Sequence, residues 1–230
     1  VRGDDVEYLE FIKGEKPSDK TNLFEGIDTS WNRVEGGKAI GTLISKISAE
    51  FDFKNPSASV PDLAKAYSMI QNLKNEHWKA VKTKEIKEII AACSGLFLES
   101  VAENQSATPD SDVNVTLEAI NRSTINMVLE SITVLPENKV FPQNINLKNN
   151  VNESVVLPIH LPSTLDFTAP YWLKAEGSVG IYRVDDQKNI GKPDIIREVK
   201  TIFNVKINGV SIPFERTVIY KYNNPVTGEV

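Results

Sequence analysis

The 230-residue sequence holds one cysteine, Cys93, so no disulfide can close within the chain. Its neighbours lie on an apolar helical pattern, which reads as a buried, inert thiol. A single cysteine is compatible with either cytoplasm or periplasm. There are two histidines, His77 and His160. Neither has a second His or Cys at ligand spacing, so HxxH and CxxC zinc patterns are absent. A metal site would have to gather a histidine and carboxylates from distant segments, and ordinary surface or packing histidines are the simpler reading. No Gly-x-Ser-x-Gly elbow, phosphate-cradling Gly-x-x-x-x-Gly-Lys or dinucleotide glycine fingerprint occurs. The longest mostly apolar run, 89–98, is broken by Ser94 and Gly95. It falls short of the ~20 apolar residues of a spanning helix, so no membrane span is expected.

An excess of one charge is also missing. The net charge is −5, from 26 basic and 31 acidic side chains. Residues 1–105 hold 14 basic and 17 acidic groups, and residues 106–230 hold 12 and 14. Neither half carries the basic footprint that binding a phosphate backbone requires, so nucleic acid is not an expected partner. The start, Val1-Arg2-Gly3-Asp4-Asp5, has none of the regions of a signal peptide. It also lacks Met, and the chain is read as a fragment of a longer protein.

What is present falls into three stretches. Residues 1–34 have no hydrophobic period, yet Tyr8, Leu9, Phe11, Phe24 and Trp31 are too apolar for a disordered leader. They read as an arm that packs on the rest. Over 35–51, Ala39, Ile40, Leu43, Ile44, Ile47 and Phe51 follow the stripe of an amphipathic helix, which Asn55-Pro56 should end. Ser59 is a candidate N-cap for a second helix, with Pro61 and Asp62 in its first turn. A third stripe runs from about Glu76 to Glu103 through Val81, Ile86, Ile89, Ile90, Cys93, Phe97 and Val101. Gly95 would kink it or allow a tight crossing.

The polar segment 104–110 is a plausible boundary, after which alternation replaces the helical period. Val113, Val115, Leu117 and Ala119 point one way. Ile125, Met127 and Leu129 alternate, then the phase slips to Ile132 and Val134, as at a β-bulge. Val155, Leu157, Ile159 and Leu161 form another face, and Pro158 suits an edge strand. Asn208-Gly209 signals a type I′ hairpin. That turn pairs Ile207 with Val210, Val205 with Ile212, Phe203 with Phe214 and Val199 with Val218. The prediction is a multidomain α and β protein. An irregular packing arm (1–34) precedes a helical domain of about three helices (35–105) and an antiparallel immunoglobulin-like β-sandwich (106–230).

Few residues carry candidate chemistry. Gly36-Gly37 could offer backbone N–H groups to an anion or form a flexible lead-in turn. Asp185, Asp186 and Asn189 could coordinate calcium or form a polar turn. Arg2-Gly3-Asp4 matches a cell-adhesion tripeptide that three residues match easily by chance. Asn104, Asn114, Asn121 and Asn152 begin glycosylation sequons, which matter only in a eukaryotic secreted protein. The possible ligand-binding residues are Tyr171, Trp172, Tyr182 and Arg183, with Phe167 nearby. Exposed, they could stack on a sugar; buried, they would fill a core or an interface.

The segments Phe167-Thr168-Ala169-Pro170-Tyr171-Trp172-Leu173, Gly180-Ile181-Tyr182-Arg183-Val184-Asp185-Asp186 and Ile190-Gly191-Lys192-Pro193 carry a family resemblance. So do Ser30-Trp31-Asn32-Arg33 and the closing run from Tyr220 to Glu229. The chain resembles, over nearly its whole length, the non-catalytic region of large bacterial PIG-L (LmbE-like) deacetylases, found especially in Bacteroidetes. The resemblance implies a catalytic domain that is a zinc-dependent remover of N-acetyl groups from glucosamine-type substrates. That domain's Pro-His-Pro-Asp-Asp segment and later His-x-x-His do not occur here, so no catalytic or zinc-binding residue carries over. The second half is similar to NEW3-type sandwiches attached to carbohydrate-active enzymes. The resemblance thus implies a chain without cofactor, with zinc in the absent catalytic domain. It implies that domain of the same polypeptide as partner, a glycan as an alternative one, and a periplasmic or secreted location.

Overall fold

A computed structural model describes residues 3, 7–22, 24–192 and 197–229. The adhesion-like Arg2 and Asp4, and Pro193 of the family-like segment, lie outside the described residues. The helical part comprises α1 (Lys38–Ala49), α2 (Val60–Gln71) and α3 (Glu76–Ser94). Helix α1 buries only Ile40, while α2 buries six side chains, including Leu63, Tyr67 and Ile70. The second helix is therefore the centre of the helical core, with α1 and α3 against it. Ser59 stands at the N-cap position of α2, but its side chain makes no capping hydrogen bond. A 3-10 turn, Pro56–Ser59, runs straight into the helix and leaves Ser59 in helical backbone, so its hydroxyl is not aimed at the first turn. Asn75 does cap α3, accepting from the Trp78 N–H at 3.1 Å.

The third apolar stripe is not one helix. Helix α3 ends at Ser94, and the expected helical continuation to Glu103 is corrected to a strand, β1 (Phe97–Ala102). Gly95 makes the break, with φ +60°, and the Leu96 N–H reaches back to the Ala91 carbonyl at 2.9 Å. That is the six-to-one bond of a Schellman ending, so the glycine stops the helix rather than kinking it. The polar run 104–111 then connects β1 to β2 (Asp112–Ile120), its antiparallel neighbour.

The remaining long strands are β3 (Met127–Leu135), β4 (Lys139–Asn146), β5 (Asn152–His160), β6 (Lys200–Ile207) and β7 (Val210–Thr217). They form two antiparallel sheets in the orders β1-β2-β5 and β4-β3-β6-β7, with a two-stranded ribbon of β8 (Asn223–Asn224) and β9 (Gly228–Glu229). The alternation places Val113, Val115, Leu117 and Ala119 of one sheet inside, and Phe203, Val205, Ile207, Ile212 and Phe214 of the other. The buried Ser100 and Thr201 hydroxyls hydrogen-bond between the sheets. The bulge falls between Leu129 and Ser131, and the hairpin register is the expected one, with Phe203 opposite Phe214. Asn208 and Gly209 take the positive φ (47° and 87°) of its turn.

The sheet edges share one device. Strands β4, β5 and β7 each end a sheet and each carry a mid-strand proline: Pro142, Pro158 and Pro213. The fourth edge, β1, is occupied at one position by the chain itself. Ile219 forms a parallel bridge with Val101, donating to the Ser100 carbonyl and accepting from the Ala102 N–H at 2.7 Å.

The leading arm touches the helices chiefly through Trp31 and Val34. Among its described residues, Tyr8, Leu9, Phe11 and Phe24 are exposed, contrary to the expectation that these side chains pack on the rest, while Trp31 does pack on the core.

Candidate functional site

The sequence-selected aromatics lie in the long connection 161–199 between β5 and β6, whose described residues include two 3-10 turns and one isolated bridge. Pro170 sets the start of the first turn, Tyr171–Leu173. Tyr171 and Trp172 meet edge to face, their ring centroids 4.8 Å apart. The Tyr171 hydroxyl accepts from the Gly191 N–H at 3.1 Å, which ties two distant parts of the connection together. Tyr171 is thus partly spent on structure. Tyr182 and Phe167 stand apart and exposed, with no ring contact to the pair among the described residues. Arg183 turns to Asp185 at 2.9 Å. The structure brings together Tyr171 and Trp172, and leaves Tyr182 and Arg183 elsewhere on the connection.

The other candidates resolve simply. Asp186 caps the turn Gln187–Asn189 through the Lys188 N–H, and Asn189 accepts from Lys192 Nζ at 2.8 Å. These oxygens are engaged by local donors, as in a polar turn. A Cβ on Gly37 would lie 2.9 Å from the Val34 carbonyl oxygen, so the glycine permits a close backbone approach. Asn121 is 1% exposed, and its amide serves the fold rather than a glycosylation site. His77 lies edge-on to Trp78, whose ring also carries the Arg33 guanidinium at 4.1 Å. His160 reaches Asp112 at 3.0 Å and Asp110 at 3.6 Å on the exposed face of β5. Among the described residues, no group of three or more His, Cys, Asp or Glu could hold a metal ion. Cys93 is half-buried, and loss of solvent raises its thiol pKa. No described helix is long and apolar enough to cross a membrane.

A cavity that sequence reasoning missed lies at the end of the sandwich opposite the Asn208-Gly209 turn. Its volume is about 590 Å³. The floor is aliphatic: Val113, Ile159 and Leu161 from one sheet, and Val199, Val218 and Ile219 from the other side. The rim is polar and carries both signs of charge, with Asn104, Gln105, Thr168, Arg197, Glu198 and two tyrosines. Tyr220 and Tyr222 stack there, centroids 6.2 Å apart and planes 26° from parallel. Between them in sequence, Lys221 pairs with the half-buried Glu99 at 2.8 Å. The Tyr-Lys-Tyr spacing puts both rings on one side of an extended chain, and this was the one sequence signal available.

No protein-family model matches the chain, and no curated protein matches it. One similar solved structure is the alkylpurine DNA glycosylase AlkC of Pseudomonas fluorescens, bound to DNA containing an abasic-site analogue. It is 11% identical, and the alignment covers 76% of this chain with a TM-score of 0.26. This chain spans half of that enzyme's length, 50% being covered.

Proposed function

We propose that this chain is a non-catalytic accessory region of a PIG-L/LmbE-like zinc-dependent de-N-acetylase, positioning the catalytic domain or its substrate. One observation supports the reading beyond the sequence resemblance. Large apolar side chains are exposed along two irregular segments: Tyr8, Ile12 and Phe24 in the arm, and Phe167, Ile181 and Tyr182 in the 161–199 connection. These side chains are available for contact with another polypeptide, and such a contact would bury them. The catalytic domain of the same polypeptide is the partner proposed, and zinc belongs to that domain. A periplasmic or secreted location goes with the same reading.

The immunoglobulin-like description of the sandwich is part of this proposal. The three-plus-four strand arrangement supports it, with one departure. In the constant-type immunoglobulin domain the fourth strand lies in the sheet of the first, second and fifth. Here β4 pairs with β3 instead.

A glycan-binding module is the second reading, favoured by the Tyr171–Trp172 pair, a half-exposed aromatic surface fixed by the Gly191 hydrogen bond. The two separate experimentally. The parent coding sequence should contain a His-Pro-Asp-Asp zinc segment, and the separately made catalytic domain should bind this chain. Absence of that segment overturns the accessory reading. Calorimetric binding of chitooligosaccharides, lost in Trp172→Ala, would instead establish the module.

A further inference from the structure

We propose that the cavity at the open end of the sandwich binds the aliphatic chain of an amphiphile, with its polar head at the Tyr220–Tyr222 rim. The core is sealed at one end and leaks at the other. Met127 and Ile207, at the hairpin end, are 0% exposed, whereas Val113 and Leu161, at the other end, each keep 8%. At the sealed end the two inner faces fill the space between the sheets with their own side chains. At the open end β6 starts at Lys200 and β7 stops at Thr217, and the half-buried Val199, Val218 and Ile219 are the aliphatic groups that face the gap from that side.

The volume and chemistry of the gap select the ligand. About 590 Å³ lies within the range of small-molecule sites, roughly 300–1,000 Å³. A floor of branched aliphatic side chains offers no hydrogen bond to a sugar ring. Burying sugar hydroxyls there would cost their hydration without return. A methylene chain loses nothing of the kind and gains about 0.8 kcal/mol for each CH₂ removed from water. Among the described lining residues the polar groups are the exposed ones at the mouth, among them the Asn104 and Gln105 amides, the Thr168 hydroxyl, the charged Arg197 and Glu198, and the two phenols. This separation of an apolar floor from a hydrogen-bonding rim matches an amphiphile whose head stays at the surface. The chemistry is shared by a free fatty acid and by the acyl chain of a membrane lipid.

None of Phe167, Tyr171, Trp172 and Tyr182 lines this cavity, so the proposal stands or falls apart from the accessory role. The test is calorimetric titration of the protein with hexanoate, octanoate and decanoate below their micellar concentrations. One saturable site is expected, with affinity rising about fourfold per added methylene. Val218→Trp fills the gap and should weaken decanoate binding at least about tenfold. Tyr222→Ala, at an exposed position, should weaken it less while leaving the far-UV circular dichroism unchanged. Methyl NMR of the unmodified protein gives the location even where Val218→Trp does not fold. Decanoate should shift Val113, Ile159 and Val218 and leave Ile44 and Ile47 unmoved. Phosphatidylcholine vesicles form the second arm. Binding to vesicles with the same methyl shifts identifies a membrane-lipid source, and binding to decanoate alone identifies a free acid. Absence of saturable binding, affinity independent of chain length, or shifts confined to α1 would overturn the proposal.

Discussion

Asn121 shows how much one polar side chain can hold. Its amide nitrogen donates to the Ile125 and Leu147 carbonyls, at 2.9 and 3.1 Å. Its amide oxygen accepts from both the N–H and the hydroxyl of Ser123. A buried network with every member satisfied fixes a loop; removing its hub leaves buried carbonyls unpaired. Asn121→Ala should cost roughly 2–4 kcal/mol, read as a shift of the urea midpoint at unchanged m-value. Glu130, the residue at the bulge, is a second device of this scale. Its carboxylate accepts from Ser211 Oγ at 2.6 Å and Lys206 Nζ at 3.0 Å, and these bonds lower its pKa from the ordinary 4.5. A lowered carboxylate pKa adds stability above the unfolded value, and that stability is lost as pH falls through the folded value. Melting temperature should therefore drop on acidification below about pH 4.5, and Glu130→Gln should flatten that part of the profile.

At the scale of elements, local signals were legible and long-range ones were not. The β6–β7 hairpin could be registered from sequence because a two-residue turn fixes every pairing that follows. The bulge in β3 was visible because one extra residue inverts the alternation. The end of α3 is hidden in the sequence because Phe97 and Val101 sit at helical spacing from Cys93. Only the left-handed backbone at Gly95 shows that the period had changed. A side chain there would have to adopt positive φ with its Cβ 2.9 Å from the Arg122 Cβ. Gly95→Ala should destabilise the protein by about 1–3 kcal/mol, seen in thermal melts, with the loss centred on the α3–β1 junction in hydrogen exchange. The aromatic residues of the 161–199 connection could be named from sequence, but their arrangement could not. Whether Tyr182 joins Trp172 depends on a loop path that no periodicity encodes. The sandwich cavity was hidden for a similar reason, since its walls come from both sheets and its rim from two connections.

For the whole molecule, stability and exposed apolar surface separate cleanly. The buried core runs from Ile40 and Ile70 in the helices to Phe203 and Phe214 in the sandwich, and the arm contributes Val34 to it. Ile12→Ser together with Phe24→Ser should thus change unfolding free energy by less than about 0.5 kcal/mol for each site. The same pair should lower the fluorescence of a bound hydrophobic dye and weaken association with the catalytic domain. Unchanged dye binding would place the accessible apolar surface elsewhere.

The prolines on three sheet edges, and the Ile219 bridge on the fourth, also limit how this protein can be read by others. A visitor that recognises backbone, adding a strand to a sheet, meets a missing donor or an occupied ladder on each side. Recognition is thereby shifted toward side chains on irregular segments, where a sequence can drift without disturbing the fold. The scaffold can therefore stay constant while what it holds onto changes.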